Sequence, residues 1–338
     1  MHFNKYPYII AEAGVNHNGL LINAFKLIDA AVKAGADCVK FQAFSSDELV
    51  TKIALKAEYQ KREEDESQHD MLSKFELLEN DFKLLYKRCE KRGIDFLITP
   101  FSPRWVKILY NMGVSSFKIS SGSVNSLALL QEVARTRLPV ILSTGMSSIE
   151  EIRRAINVLK EGGCNSLSLL HCVSLYPAPI EKINLFSIGI LEGVFNVPVG
   201  FSDHTIHTLT GGLAIAAGAT ILEKHFTLDK NMKGPDHKSS LSPGELKSYI
   251  EVAKLAVIAC GKKIKKISNE EVDIKKVAQS SLVVKRFIKK GQIIQRDMLT
   301  EKRPATGISP MNLWYVRGKQ AIRDLQVDET LTYDCLKE

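Results

Sequence analysis

The chain has 338 residues, 45% of them apolar and 25% charged, which is ordinary for a folded globular protein and excludes intrinsic disorder and coiled coil. Its most apolar stretch, Leu209 to Leu222, is only 14 residues long, includes three glycines, and is too short to cross a bilayer. Most of the formal charge of +8 sits in residues 262–338, which hold 17 basic and 10 acidic side chains. That segment lacks interleaved aromatics, so a solvated surface or attraction of an acidic substrate explains it better than nucleic acid does. No signal core develops before Glu12, and six cysteines are scattered without a CxxC pair. A cytoplasmic location, no membrane contact and mostly buried thiols are expected.

In chain order, short β-branched runs alternate with helical spacing. Strands are predicted over Tyr8–Ala13, Cys38–Ala43, Asp95–Thr99, Ser116–Ser120, Val140–Thr144, Leu167–Val173, Pro198–Ser202 and Thr220–Phe226. Helical patterns follow each, from Leu21–Ala34 to Pro243–Ala259. Eight such units favour an α/β fold of the closed (β/α)8 TIM-barrel type over an open doubly wound sheet. The charged insertion from Ser45 to Leu78 would overhang the C-terminal face, as a lid or as a solvated excursion with its own short helix. Residues 1–261 are read as the barrel, 262–279 as a polar linker and 280–338 as a small, mostly β domain.

The predicted C-terminal strand ends carry Glu12, Lys40, Gln42, Thr99, Lys118, Ser120, Ser121, Ser143, His171, Cys172, Asp203, His204, Glu223, Lys224 and His225. Charged groups inside a barrel are costly unless paired or ligand-bound, so this set points to a site. Lys40 and Lys118 with the hydroxyls of Thr99, Ser120, Ser121 and Ser143 make a receptor for a multiply charged anion, phosphate or carboxylate. His204 and His225 fall on neighbouring strands and could share a divalent metal, though two imidazoles alone are a weak signal. His17, His171 and His237 are read as structural hydrogen-bonding groups. The string GVNHNG (14–19) is not a dinucleotide fingerprint, and no P-loop is present.

The strings IIAEAGVNHNG (9–19), GADCVKFQAF (35–44), TPFS (99–102), FKISSG (117–122), ILSTGM (141–146), LLHCVSLYPAP (169–179), VGFSDHT (199–205), EKHFTLDKNMKGPDH (223–237) and KRPATGISPM (302–311) carry a resemblance to the sialic acid synthases. These enzymes condense phosphoenolpyruvate (PEP) with N-acetylmannosamine or a related aldose, and close relatives making legionaminic acid share nearly all the strings. The resemblance implies Mn²⁺ or Mg²⁺ on His204 and His225. It also implies a PEP pocket of Lys40, Thr99, Lys118, Ser121 and Ser143, and sugar contacts from Glu12, Gln42, Tyr176 and Asp236.

The C-terminal segment resembles the family's antifreeze-like (SAF) domain. Arg303 would then reach the N-acetyl group in the partner's barrel of a domain-swapped homodimer. One position departs: where the family usually ends Lys-Ile-Pro-Ser-Gly in Glu, this chain has Ser123, so preference for a differently substituted sugar, or weaker binding of the usual one, is expected. A Schiff-base aldolase using Lys118, and a non-catalytic sugar-binding protein, are the rival readings.

Overall fold

The computed structural model describes residues 7–56, 67–262 and 264–337. The chain divides into two compact units, Met1–Gly261 and Lys262–Glu338. In the first, eight parallel strands are β1 (Tyr8–Gly14), β2 (Cys38–Ala43), β3 (Asp95–Pro100), β4 (Phe117–Ile119), β5 (Val140–Ser143), β6 (Leu167–Cys172), β7 (Val199–Asp203) and β8 (Ile221–His225). Their hydrogen-bonded order is β3-β2-β1-β8-β7-β6-β5-β4, and β3 and β4 at its ends lie side by side. The sheet therefore curls into a near-closed TIM barrel.

Helices α1 (Leu21–Ala34), α2 (Ser46–Leu49), α3 (Gln68–Ser73), α4 (Glu79–Arg92), α5 (Pro103–Met112), α6 (Leu127–Arg135), α7 (Ile149–Glu161), α8 (Ser187–Phe195), α9 (Thr210–Ala216) and α10 (Pro243–Cys260) complete this unit. Local chemistry sets their ends. Ser148 and Glu151 form a reciprocal capping box at α7, as Ser242 and Glu245 do at α10. Ser102 caps α5 ahead of Pro103, while Gly35, Gly93 and Gly113 supply the left-handed turns that stop α1, α4 and α5.

Strand alternation sorts side chains into two layers. Outward residues such as Ile9, Val39, Phe41, Phe117, Leu142 and Phe201 meet the helices in one large core. Inward residues Tyr8, Ile10, Cys38, Leu97, Ile141, Leu170 and Ile221 plug the lower barrel. Gly200 is required at that level, because an added Cβ would come within 2.3 Å of the Ile221 carbonyl oxygen and 2.7 Å of a Leu170 methyl. Above the plug, the next inward residue is polar on every strand but β6, where it is Cys172, and this places the site on the C-terminal face.

The insertion after β2 holds α2 and α3, with Met71 and Phe75 packed on Val15 and Phe44. Residues 57–66 of the insertion, on which the lid reading partly falls, lie outside the described residues.

In the second unit, β9 (Ser281–Val284) pairs antiparallel with β10 (Leu299–Lys302), over a separate core that includes Leu282, Ile294, Ile308, Val316 and Leu331. The polar linker differs from its expected form. It contains helix α11 (Asn269–Ala278), which opens on a Ser268–Glu271 capping box and buries none of its residues. A short helix, α12 (Leu313–Val316), also lies in this unit. Five of the six cysteines are buried and Cys260, at the end of α10, is exposed. No helix among the described residues is long and apolar enough to cross a membrane.

Candidate active site

Glu12, Lys40, Thr99, Lys118, Ser143, Ser202 and Glu223 occupy the inward positions above the plug, and all are buried. The charges alternate. Lys40 Nζ lies 2.9 Å from Glu12 Oε2 and 3.6 Å from Glu223 Oε2, and Lys118 Nζ lies 3.5 Å from Glu223 Oε1. Lys40 also donates to Thr99 Oγ1 (3.2 Å), Gln42 Nε2 donates to Glu12 Oε1 (2.9 Å), and the Ser202 hydroxyl donates to Glu223 Oε1 (2.8 Å). Ser143 Oγ and Glu223 Oε2 are buried with no hydrogen-bond partner.

Burial opposes every one of these charges, and the neighbours decide the outcome. For Glu223, Lys118 and Lys40 outweigh burial and hold the carboxyl down at about 2. For Lys40, the two carboxylates more than offset burial and raise the ammonium. Lys118 faces Glu223 and also a like charge on Lys40, so burial prevails and lowers it. Glu12 is raised, by burial that Lys40 only partly offsets.

Beside this cluster, β7 leads to His204 and β8 ends in His225, with ring centroids 5.6 Å apart. His204 Nδ1 donates to the Val173 carbonyl (2.7 Å), which leaves Nε2 with a lone pair, 3.2 Å from the Tyr176 hydroxyl and 3.3 Å from Ser202 Oγ. Tyr176 stacks on His204 at 4.2 Å. His225 Nδ1 has no hydrogen-bond partner; Asp236 Oδ2 is 3.8 Å away. Burial, then repulsion from His225, lowers His204 to about 3; burial, then Lys40, lowers His225 to about 3. Both rings are thus neutral, with lone pairs available to a cation. No cluster of three or more His, Cys, Asp or Glu side chains suited to a metal occurs among the described residues. Two imidazoles are fewer ligands than a protein metal site usually supplies, so a divalent ion here would need water or substrate to complete its shell.

The expected sugar contacts Glu12, Gln42 and Asp236 converge around Gly14. A Cβ built there would lie 3.3 Å from Gln42 Nε2, 3.3 Å from Glu12 Oε1 and 3.6 Å from Asp236 Oδ2. Burial, then the Glu12 carboxylate, pushes Asp236 up to about 7. Ser121 follows β4 in a short 3-10 turn, its hydroxyl 3.2 Å from Ser174 Oγ, and Ser123 in the same turn is 3.1 Å from Ser120 Oγ. Arg303 is exposed just after β10, in the second unit.

His17, His171 and His237 are tied structurally, to Gly19, the Ile183 carbonyl and Asn18 with Thr227. The sequence places Glu223 among the strand-end residues without a specific role, and Ser202 is not singled out there. Alternation puts Glu223 on the same face as His225, and Ser202, two residues before His204 and next to Glu223 across the ladder, follows from the β7–β8 register.

The profile of the NeuB family matches residues 27–265, and that of the SAF domain matches residues 279–337. N,N'-diacetyllegionaminic acid synthase of Campylobacter jejuni is 44% identical, over 97% of this chain and 99% of that protein. The enzyme of the same name from Legionella pneumophila is 41% identical, over 97% and 94%. A solved structure titled N-acetylneuraminic acid (sialic acid) synthetase, from Leptospira borgpetersenii in complex with citrate, is 34% identical with a TM-score of 0.72, over 80% of this chain and 90% of that one.

Proposed function

The chain belongs to the NeuB family, and from that premise we propose that it condenses PEP with an N-acylated aldose and water, releasing phosphate and a nine-carbon 2-keto acid. What carries this reading is the buried Glu12–Lys40–Glu223–Lys118 array beside two neutral imidazoles. In it, Lys40, Lys118, Thr99, Ser121 and Ser143 hold the carboxylate and phosphate of PEP, and the unpartnered Ser143 hydroxyl is free to donate to the anion.

Glu12, Gln42, Tyr176 and Asp236 hold the sugar so that its aldehyde carbon faces C3 of PEP. His204 and His225 would hold Mn²⁺ or Mg²⁺, which when bound supplies Lewis-acid polarisation of a carbonyl oxygen. C3 of PEP bonds to the aldehyde carbon, water adds at C2, and C2–O cleavage expels phosphate to leave the keto group. The two lysines neutralise charge gathering on the departing phosphate, and do so from fixed positions.

Among sugars we favour 2,4-diacetamido-2,4,6-trideoxymannose over N-acetylmannosamine. Two relatives at 41% and 44% identity are named for diacetyllegionaminic acid, and Ser123 offers a hydroxyl where a carboxylate would grip a more hydroxylated sugar. The test is phosphate release from PEP with each sugar and with unsubstituted mannose, with and without EDTA. EDTA-sensitive release with the diacetamido sugar is expected. Release only with N-acetylmannosamine overturns the sugar assignment, and no release with any of the three overturns the reaction.

A further inference from the structure

Asp203 and Lys224 form a fully buried ion pair, Nζ to Oδ1 3.0 Å, on the helix-facing side of the barrel and outside the reaction described above. The same ammonium donates to the Thr205 carbonyl oxygen at 2.6 Å and stands 3.2 Å from Thr205 Oγ1. Asp203 in turn accepts from the Thr205 amide (2.9 Å) and from the Thr210 hydroxyl. Asp203 and Thr205 are the two chain neighbours of His204, and Lys224 is the chain neighbour of His225. One side chain thus joins both flanks of the first histidine to the residue before the second.

The strand ladder explains why such a tie is needed. The β7–β8 register runs Phe201↔Leu222, Ser202↔Glu223, Asp203↔Lys224 and stops there, so no backbone pairing holds His204 to His225. Tyr249 caps the pair, its ring 5.4 Å from Lys224 Nζ, in space left by Gly211, where a Cβ would come within 2.6 Å of the ring. A buried ion pair adds little net stability over a hydrophobic pair of like volume, so stability alone is a poor reason for it.

We infer that Asp203 and Lys224 are positioning residues that fix the spacing and orientation of His204 and His225, and through them the affinity of the pair for a divalent cation. This rests on the reading that the two histidines hold that cation.

The experiment titrates Mn²⁺ into metal-stripped full-length protein and reads free Mn²⁺ by electron paramagnetic resonance, with no turnover involved. The variants are His225→Ala, the double variant Asp203→Asn with Lys224→Met, and Leu27→Ala in α1 as a destabilised control. The double change leaves no buried charge unpaired, which favours folding. Wild type and Leu27→Ala should bind alike, His225→Ala should not bind, and the folded double variant should bind about 10–100-fold more weakly. Wild-type affinity in the double variant overturns the inference while leaving the histidine site intact. Binding by His225→Ala as tight as wild type, or none by wild type, overturns the histidine site itself and the inference with it. Should the double variant not fold, Thr210→Val removes one hydroxyl from Asp203 without stranding a charge; a severalfold loss supports the inference and unchanged affinity overturns it.

Discussion

Glu223 Oε1 stands 3.5 Å from Lys118 Nζ, with both side chains buried inside the barrel. Glu223 also faces Lys40, so Glu223→Gln leaves two ammonium groups sharing one carboxylate, Glu12. Removing one partner of a buried pair costs about 3–5 kcal/mol, and the melting temperature should fall accordingly. Added PEP should then raise the melting temperature more in the variant than in wild type, because the bound anion replaces the missing charge. Equal shifts by scanning calorimetry would count against an anion site at these lysines.

Lys118 has the lowered ammonium pKa that a Schiff-base lysine would need. On the synthase reading its proton is required for anion binding, and no covalent step occurs there. Borohydride treatment in the presence of pyruvate should therefore leave the intact mass unchanged. An adduct mapped to Lys118 would revive the aldolase.

Ser123→Glu tests the sugar assignment. The new carboxylate should favour N-acetylmannosamine over the diacetamido sugar in kcat/KM, by the worth of a charge-assisted hydrogen bond, roughly 1.5–3 kcal/mol or about 10–150-fold. An unchanged ratio would remove position 123 from the account of specificity.

The eight strands and the polar residues at their C-terminal ends were legible because alternation is a strong signal. Lys40 and Gln42 on β2, and Glu223 and His225 on β8, needed only a period of two. Three things were hidden for physical reasons. The pairing of both lysines with Glu12 and Glu223 depends on strand register, which no local pattern encodes. Helix α11 is short, lies among charged residues and buries none of its side chains. The tie from Lys224 to Thr205 depends on where the β7–β8 ladder ends.

His17 gives a pH prediction. Burial, then His237, lowers it to about 4 against an ordinary value of 6.5. Below 6.5 the unfolded chain takes up a proton that the folded chain refuses, so this residue makes stability fall as pH drops from about 6.5 to 4, by at most about 1.4 kcal/mol per unit. Urea titrations at pH 7, 6 and 5 should show a shallower decline for His17→Gln than for wild type. Parallel curves would mean the ring is protonated in the folded state.

Arg303 is exposed in the second unit, and the resemblance to the sialic acid synthases implies a homodimer in which Arg303 of the partner subunit would complete each barrel. Arg303→Ala should raise KM for the sugar and spare PEP. Mixing it with His225→Ala under conditions that exchange subunits should restore activity that neither variant has alone at low sugar. No recovery, from subunits shown to have exchanged, would place the arginine's action elsewhere.

Because the five other thiols are buried, Cys260 is the one position that a maleimide should reach in the native protein. It lies one residue before the division between the two units at Gly261 and Lys262. A single fluorophore or spin label can therefore be put at the joint of the molecule without engineering any cysteine in or out. Its signal would report directly on whether the two units move when substrate arrives.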